Sequence, residues 1–252
     1  MTDTPQSVDF DRRPPMPVNE YEQTVKGVNV GYELLFTLVE CFLRTQGRAD
    51  LHLLVVGAGG GTEIERFLPR NPGWHITGVD PSHDMLALTQ AKAEQLGVAE
   101  RVTLIRGTVE VLPIDTRFDA ATCLFVLHFL TDAAKLALLR AVAGRLHSGA
   151  PVLVASGARL RADDALRDDF IGAWQQYGEL AGMPADRMAA IIHELVGQQV
   201  RATAEQDYVR PAAGSWVRAR RQHAERHGRW HGSLDRSVDG TGKPAGAADE
   251  SC

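Results

Sequence analysis

Between an apolar run and a helix-like segment the chain carries Val55-Val56-Gly57-Ala58-Gly59-Gly60-Gly61-Thr62, with Gly78-Val79-Asp80 further on. Residues 51–56 read as a buried strand, 57–61 as a turn with no side chain in the way, and 62–68 as the start of a helix. Glycine reaches backbone angles closed to other residues and lets a ligand approach the main chain, while the helix beyond presents unpaired N–H groups to a polar or anionic group. Asp80 ends the next strand, predicted over 74–79. In a parallel sheet its carboxylate lies beside the glycine turn, where it can accept hydrogen bonds from two ribose hydroxyls. Strand, turn, helix and carboxylate in this order make a nucleoside-bearing ligand the expectation.

The middle of the chain repeats this alternation. Strand-like segments at 74–79, 102–106, 118–127 and 151–156 are interleaved with helix-like ones at 82–96 and 132–147. The pattern predicts an α/β fold, a doubly wound and mostly parallel sheet with helices on both faces. Ser82 and Asp132 suit helix N-caps, and Gly97 and Gly149 fall where C-terminal turns belong. Right-handed crossovers gather the loops after each strand at the carboxyl edge, so residues 57–62, Asp80, Thr108 and His128 are expected to meet there.

Bulk properties exclude several classes. At 252 residues the chain suits one α/β domain with appended helices and leaves a second full domain cramped. A net charge of -5 gives no general attraction to phosphate backbones, which weighs against a nucleic-acid partner. Cys41, Cys123 and Cys252 are widely spaced with no C-x-x-C pair, so neither a disulfide framework nor a metal site is expected. Asp3, Asp9 and Asp11 stand with several prolines where a secretion signal needs an apolar stretch, and no apolar run approaches the ~20 residues of a membrane span. The expectation is a soluble, cytoplasmic protein with no membrane partner.

Dinucleotide enzymes use G-x-G-x-x-G; counted from Gly57 the sixth position is Thr62, so the third glycine of that fingerprint is missing. The spacing Gly57, Gly59, Gly61 resembles instead motif I of the class I S-adenosylmethionine-dependent methyltransferases. The resemblance continues through Val79-Asp80-Pro81-Ser82 and Asp84-Met85-Leu86, through the segment 101–113, and through Phe118-Asp119-Ala120-Ala121 into residues 124–130. It covers roughly residues 50–157. It implies a Rossmann-like fold, S-adenosyl-L-methionine as cofactor, and methyl transfer to an O, N or C nucleophile of a small-molecule substrate.

The same resemblance assigns roles. Gly57, Gly59 and Gly61 bring the backbone close to the methionine and sugar portions, Asp80 holds the ribose hydroxyls, Pro81 lies against the base, and Thr108 and Val109 flank the adenine. Many relatives carry Asp at the position of Thr108, so here a hydroxyl or the backbone is left to meet the adenine amino group. His128 follows the fourth strand, where substrate-facing residues of these enzymes lie. With an intrinsic pKa near ~6.5 it is the candidate catalytic base, and a core histidine bonded to backbone is the competing reading.

The flanks carry less pattern. Residues 1–18, with Pro5, Pro14, Pro15 and Pro17, read as a flexible arm, and 19–207 as the methyltransferase-like domain with its core at 50–157. A helix is predicted from Tyr32 on, with Leu34, Leu35, Leu38, Val39, Phe42 and Leu43 at helical spacing and Gly47 at its stop. In similar enzymes such helices lie over the cofactor, which makes Tyr21 and Tyr32 either contacts or packing aromatics. A helical hairpin over 163–206 carries Leu166, Phe170, Ala173, Trp174, Tyr177 and Leu180 on one helix and Met188, Ile191, Ile192, Leu195 and Val196 on the other. Trp174 and Tyr177 reach substrate or anchor the hairpin. A member of the family continues with two antiparallel strands, but residues 208–252 are Arg-rich and then Gly, Ala and Pro-rich, with no alternating apolar strand. They read as a basic disordered tail, as the product of a reading-frame change, or as a functional basic arm. Two further functional readings stay open: a cofactor-binding but catalytically degenerate or regulatory protein, and a carboxy-S-adenosylmethionine synthase-like enzyme.

Overall fold

Continuous apolar runs bounded by turns build a sheet that is covered on both faces. In the computed structural model, β1 (Leu51–Val56), β2 (Trp74–Asp80), β3 (Val102–Arg106), β4 (Ala120–Leu124) and β5 (Val152–Ala155) form one parallel sheet in the order β3-β2-β1-β4-β5. The structure describes residues 21–157 and 166–197; the expected arm at 1–18, the ends of the hairpin at 163–165 and 198–206, and the tail at 208–252 lie outside the described residues. The described residues fall in one unit, Met1–Arg210, and the second, Pro211–Cys252, is outside them. The expected α/β doubly wound architecture is what forms.

Alternation along β1 splits the core into two. Leu51, Leu53 and Val55 face one side with Ile76, Ala120 and Leu124, while Leu54 and Val56 face the other with Val79, Ala121 and Cys123. The first face is covered by α2 (Tyr32–Arg44) through Phe36, Val39 and Leu43 and by α3 (Thr62–Phe67) through Ile64 and Phe67; the second by α5 (Asp132–Ala143) through Leu138 and Val142. Each such buried side chain is worth about 1.5–3 kcal/mol relative to exposure. A further helix, α4 (His83–Gln95), buries Met85, Thr89 and Ala93 after Ser82, whose hydroxyl accepts the Met85 N–H at 3.2 Å as a cap.

Three expectations shift. The strand expected over 118–127 is β4, five residues long, because Phe125 adopts φ 60 and turns the chain out of the sheet into a short 3-10 turn, Leu127–Phe129. The cap of α5 is Thr131 and not Asp132: the Thr131 hydroxyl accepts the Ala134 N–H at 3.2 Å, and Asp132 lies in the first turn. On α2 the buried stripe is Tyr32, Phe36, Val39 and Leu43, so of the apolar residues read at helical spacing Val39 and Leu43 are inside while Leu34, Leu38 and Phe42 stand on the exposed face. Both stripes have helical spacing, so periodicity alone does not choose between them.

In front of α2 a short helix, α1 (Tyr21–Val28), packs against α6 (Arg167–Leu180), and α6 pairs with α7 (Ala185–Gly197). Val28, Met188 and Ile192 form a small third core with Ile171, Trp174 and Met183 around it. Gly178 lets the two helices of the hairpin close, since a Cβ there would lie 2.4 Å from the Met188 sulfur. Leu166, Phe170 and Leu180 of the hairpin are exposed, so its packing face is carried by Trp174, Gly178 and Met188 instead. No helix among the described residues is long and apolar enough to cross a membrane.

Candidate functional site

The strand order reverses between β1 and β4, and ligands of such sheets bind in the crevice outside the carboxyl ends of the strands at that point. The glycine turn sits there. Gly57, Gly59 and Gly61 have φ of 73, 51 and 80, a region a Cβ disfavours. A Cβ on Gly57 would also lie 2.4 Å from Val126 Cγ2, so the turn can approach β4's exit loop only as glycine. Outward the surface is open: a Cβ on Gly60 meets nothing within 4 Å, and one on Gly59 meets only the Gly57 carbonyl at 3.7 Å. The Thr89 hydroxyl fixes the turn from α4 by donating to the Gly59 carbonyl at 2.5 Å.

Asp80 is held beside this floor. Its Oδ2 accepts the Gly59 N–H and its Oδ1 the Ser82 N–H, both at 2.9 Å, and its carbonyl accepts the Gly107 N–H at 2.9 Å. Two backbone donors thus orient a buried carboxylate across the gap between β1 and β2. Pro81 is exposed next to it, its carbonyl accepting the Arg106 side chain at 3.2 Å. Val109 is fully buried under the following turn, and the Thr108 hydroxyl donates to Glu110 Oε2 at 2.5 Å. An open glycine floor, a fixed carboxylate and the exposed Pro81 beside it fit the S-adenosyl group that the motifs imply.

Over the floor lies a cluster that motif reading passed over in part. The Tyr32 hydroxyl is 3.0 Å from Thr62 Oγ1, and its ring stacks on Phe125 with centroids 5.7 Å apart. Phe125 at φ 60 is a strained position for a bulky residue, and strain of this kind gathers at functional sites. Tyr21 comes down beside the turn, where with Gly60, Leu88 and Lys92 it lines a hollow. Burial, then the carboxylates of Asp80 and Glu63, push its hydroxyl up to about 12. Glu63, in the first turn of α3, is 5% exposed and meets the Thr122 hydroxyl at 3.5 Å. Burial pushes its pKa up to about 7, hydrogen bonds from its own N–H and from Thr122 opposing. Only the tertiary contact with β4 distinguishes Glu63 from a solvated first-turn acid, so sequence held no signal for it.

His128 lies at the same edge, in the turn after β4. Its Nδ1 accepts the Gly157 N–H at 3.4 Å and is 3.4 Å from the Ser156 hydroxyl, while its ring rests on Phe129. Burial, then the positive charge of Lys135, pushes it down to about 4, so the ring is neutral through the physiological range. Trp174 and Tyr177 instead tie the hairpin to α1: Trp174 Nε1 donates to the Val28 carbonyl at 2.5 Å, and the Tyr177 hydroxyl reaches the carbonyls of Lys26 and Asn29 at 3.4 Å. The fold bonds Gly59 directly to Asp80 and Gly57 to the Val79 carbonyl, with Gly61 in the same turn, and sets Thr108, Val109 and His128 beyond the ends of the adjoining strands. Among the described residues no group of three His, Cys, Asp or Glu side chains is placed to hold a metal ion.

Residues 54–152 match the family model of a methyltransferase domain. The biotin biosynthesis bifunctional protein BioHC of Teredinibacter turnerae is 38% identical over 89 residues, 33% of this chain and 16% of that one. The ubiquinone/menaquinone biosynthesis C-methyltransferase UbiE of Paracoccus denitrificans is 35% identical over 85 residues, 33% of this chain and 34% of that one. The chain spans 16% to 34% of the length of the curated relatives it matches. The solved structure of YjhP from E. coli shares the fold with a TM-score of 0.50 at 19% identity, over 71% of this chain and 89% of that one. With this match joined to the glycine turn, Asp80 and the reversed strand order, residues 54–152 belong to the class I, S-adenosylmethionine-dependent methyltransferase domains.

Proposed function

We propose that the protein transfers a methyl group from S-adenosyl-L-methionine to an O, N or C nucleophile of a small molecule in the cytoplasm. The observation that carries this reading is the Gly59 N–H to Asp80 bond of 2.9 Å, which locks a ribose-binding carboxylate to an open glycine floor. The cofactor supplies the reactivity, a methyl group on a sulfonium, so the protein has to bind, align and exclude water. Gly57, Gly59 and Gly61 allow the backbone to approach the ligand, Asp80 takes the ribose hydroxyls, and Pro81 lies along the base, while Val109 is packed in the core. The Thr108 hydroxyl is engaged by Glu110, which leaves backbone groups for the adenine amino group. Tyr21, Tyr32 and Phe125 close the site from above. The net charge of -5 favours a small acceptor over a nucleic acid.

His128 is assigned to the acceptor. A backbone N–H only donates, so with Gly157 bonded to Nδ1 the neutral ring carries its proton on Nε2. In that tautomer His128 aligns the nucleophile by donating a hydrogen bond; as a general base it works only after the tautomer exchanges. Calorimetry with S-adenosylmethionine, S-adenosylhomocysteine and NAD tests the cofactor, with binding of the first two expected and abolished by Asp80→Ala. Tight NAD binding without S-adenosylmethionine binding would overturn the proposal. Product formation on a metabolite panel then separates an enzyme from a binder. A degenerate or regulatory protein, the reading that Thr108 favours, binds the cofactor and yields no methylated product. Unchanged turnover in His128→Ala removes the residue from the mechanism.

A further inference from the structure

Tyr32 stands between the cofactor turn and the loop that carries His128, and it contacts both. It opens α2 and is 6% exposed, which leaves it little surface to offer a ligand. Its hydroxyl is 3.0 Å from that of Thr62, the first residue of α3 and the one directly after Gly61. On the other side its ring stacks on Phe125, with planes 15° from parallel, and Phe36 backs it from the core at 4.8 Å. Phe125 in turn sets the path of the chain after β4. A bulky residue at φ 60 persists only where its surroundings over-determine it. Three restraints do so here: its N–H donates to the Ala155 carbonyl at 2.7 Å, the next residue, Val126, lies against Gly57, and its ring lies on Tyr32. The last of these is the restraint that comes from α2. His128 follows three residues on, and its contacts with Ser156 and Gly157 are both 3.4 Å, longer than firm hydrogen bonds. Its place is therefore set by the path of the loop more than by its own bonds.

Resting on the function proposed above, we propose that Tyr32 is a positioning residue for methyl transfer, which through Phe125 holds the loop of His128 in register with the cofactor turn and touches neither cofactor nor acceptor. The ring does the holding, and the hydroxyl fixes the ring against the start of α3. Methyl transfer requires donor and nucleophile in line, so a loop that drifts from the turn lowers the rate even where each ligand still binds. Tyr32 differs in this from Tyr21, which lines the hollow beside Gly60. A cofactor contact would act on affinity, whereas a positioning residue acts on the surroundings of His128.

The full chain is tested as Tyr32→Phe, which keeps the ring, and as Tyr32→Leu, which removes it. NMR titration of the histidine rings reads the loop, with the His128 signal assigned by its loss in His128→Ala. Burial, then Lys135, holds His128 at about 4 in the folded chain, so a loosened loop that admits water moves its midpoint toward the ordinary 6.5. Tyr32→Leu is expected to raise the midpoint by about one unit or more over wild type, and Tyr32→Phe to match wild type. Should Tyr32→Leu fail to fold, Phe125→Leu cuts the same stack from the other side and is expected to give the same rise. Calorimetry with S-adenosylhomocysteine is expected to give affinities within about threefold of wild type for both Tyr32 variants. An unmoved midpoint in the variant that lacks the stack overturns the role of Tyr32 and leaves the cofactor assignment standing. Loss of about tenfold or more in affinity in Tyr32→Phe makes the residue a cofactor contact and overturns the role as well. Absence of binding by wild type overturns the cofactor assignment and this role with it.

Discussion

At the scale of single residues, two kinds of constraint act on the site, steric and electrostatic. Gly57 is steric: Gly57→Ala meets Val126 at 2.4 Å and must hold φ 73, so a loss of about 1–3 kcal/mol in stability and at least tenfold in cofactor affinity is expected, read by thermal melts and calorimetry. Glu63 and His128 are electrostatic, with opposite signs. The folded chain keeps the Glu63 proton up to about 7 where an unperturbed carboxyl releases it near 4.5, so the folded state binds more protons in between and stability falls as pH rises through that window. For His128 the folded value is about 4 against 6.5, so stability falls as pH drops from 6.5 toward 4. Glu63→Gln is therefore expected to melt higher than wild type at pH 8, by up to roughly 3 kcal/mol, and to match it near pH 4. Equal melting points at both pH values would count against the buried carboxyl. Because His128 is neutral above about 4, any rate change between pH 6 and 8 belongs to another group.

At the scale of elements, α2 is the informative case. Leu43 is fully buried and Leu38 is 58% exposed, although both belong to apolar stripes of the same helix. Leu43→Ala is expected to cost about 2–5 kcal/mol and Leu38→Ala to stay within about 0.5 kcal/mol, as denaturant melts would measure. This is where reading from sequence reached its limit. The strands were legible because β1 is apolar on both faces, as a central parallel strand must be, and the glycine turn and Asp80 were legible because positive backbone angles demand glycine and a carboxylate at a strand's end stands out against the apolar run before it. Which face of α2 is inside depends on the distant sheet, and so does the fate of Glu63 against Thr122. Thr131 displaced Asp132 as the cap because both types cap well and only the path of the chain chooses between them. Phe125 ended β4 early through a backbone angle that its residue type does not announce.

At the scale of the molecule, the roof of the site is a composite. α1 reaches the glycine turn through Tyr21, is held from α4 by Lys92, which donates to Glu22 at 2.8 Å and also to Glu65 of α3 at 2.9 Å, and is held from the hairpin by Trp174, Tyr177 and Arg187, whose guanidinium donates to Thr24 at 3.2 Å. Trp174→Phe removes one of these ties and leaves the Val28 carbonyl without that donor, so about 1–3 kcal/mol of stability and several-fold in apparent cofactor affinity are expected to go, with kcat for saturating cofactor retained. Loss of kcat with affinity unchanged would place Trp174 on the acceptor instead of the roof. The Trp174 to Val28 bond also joins positions 146 residues apart. At about 5–20 residues per second, a ribosome takes roughly 7–30 seconds to supply the second partner after the first. For that interval the nascent chain carries α1 with nothing from the hairpin to moor it, so cofactor loading belongs to the late stages of synthesis.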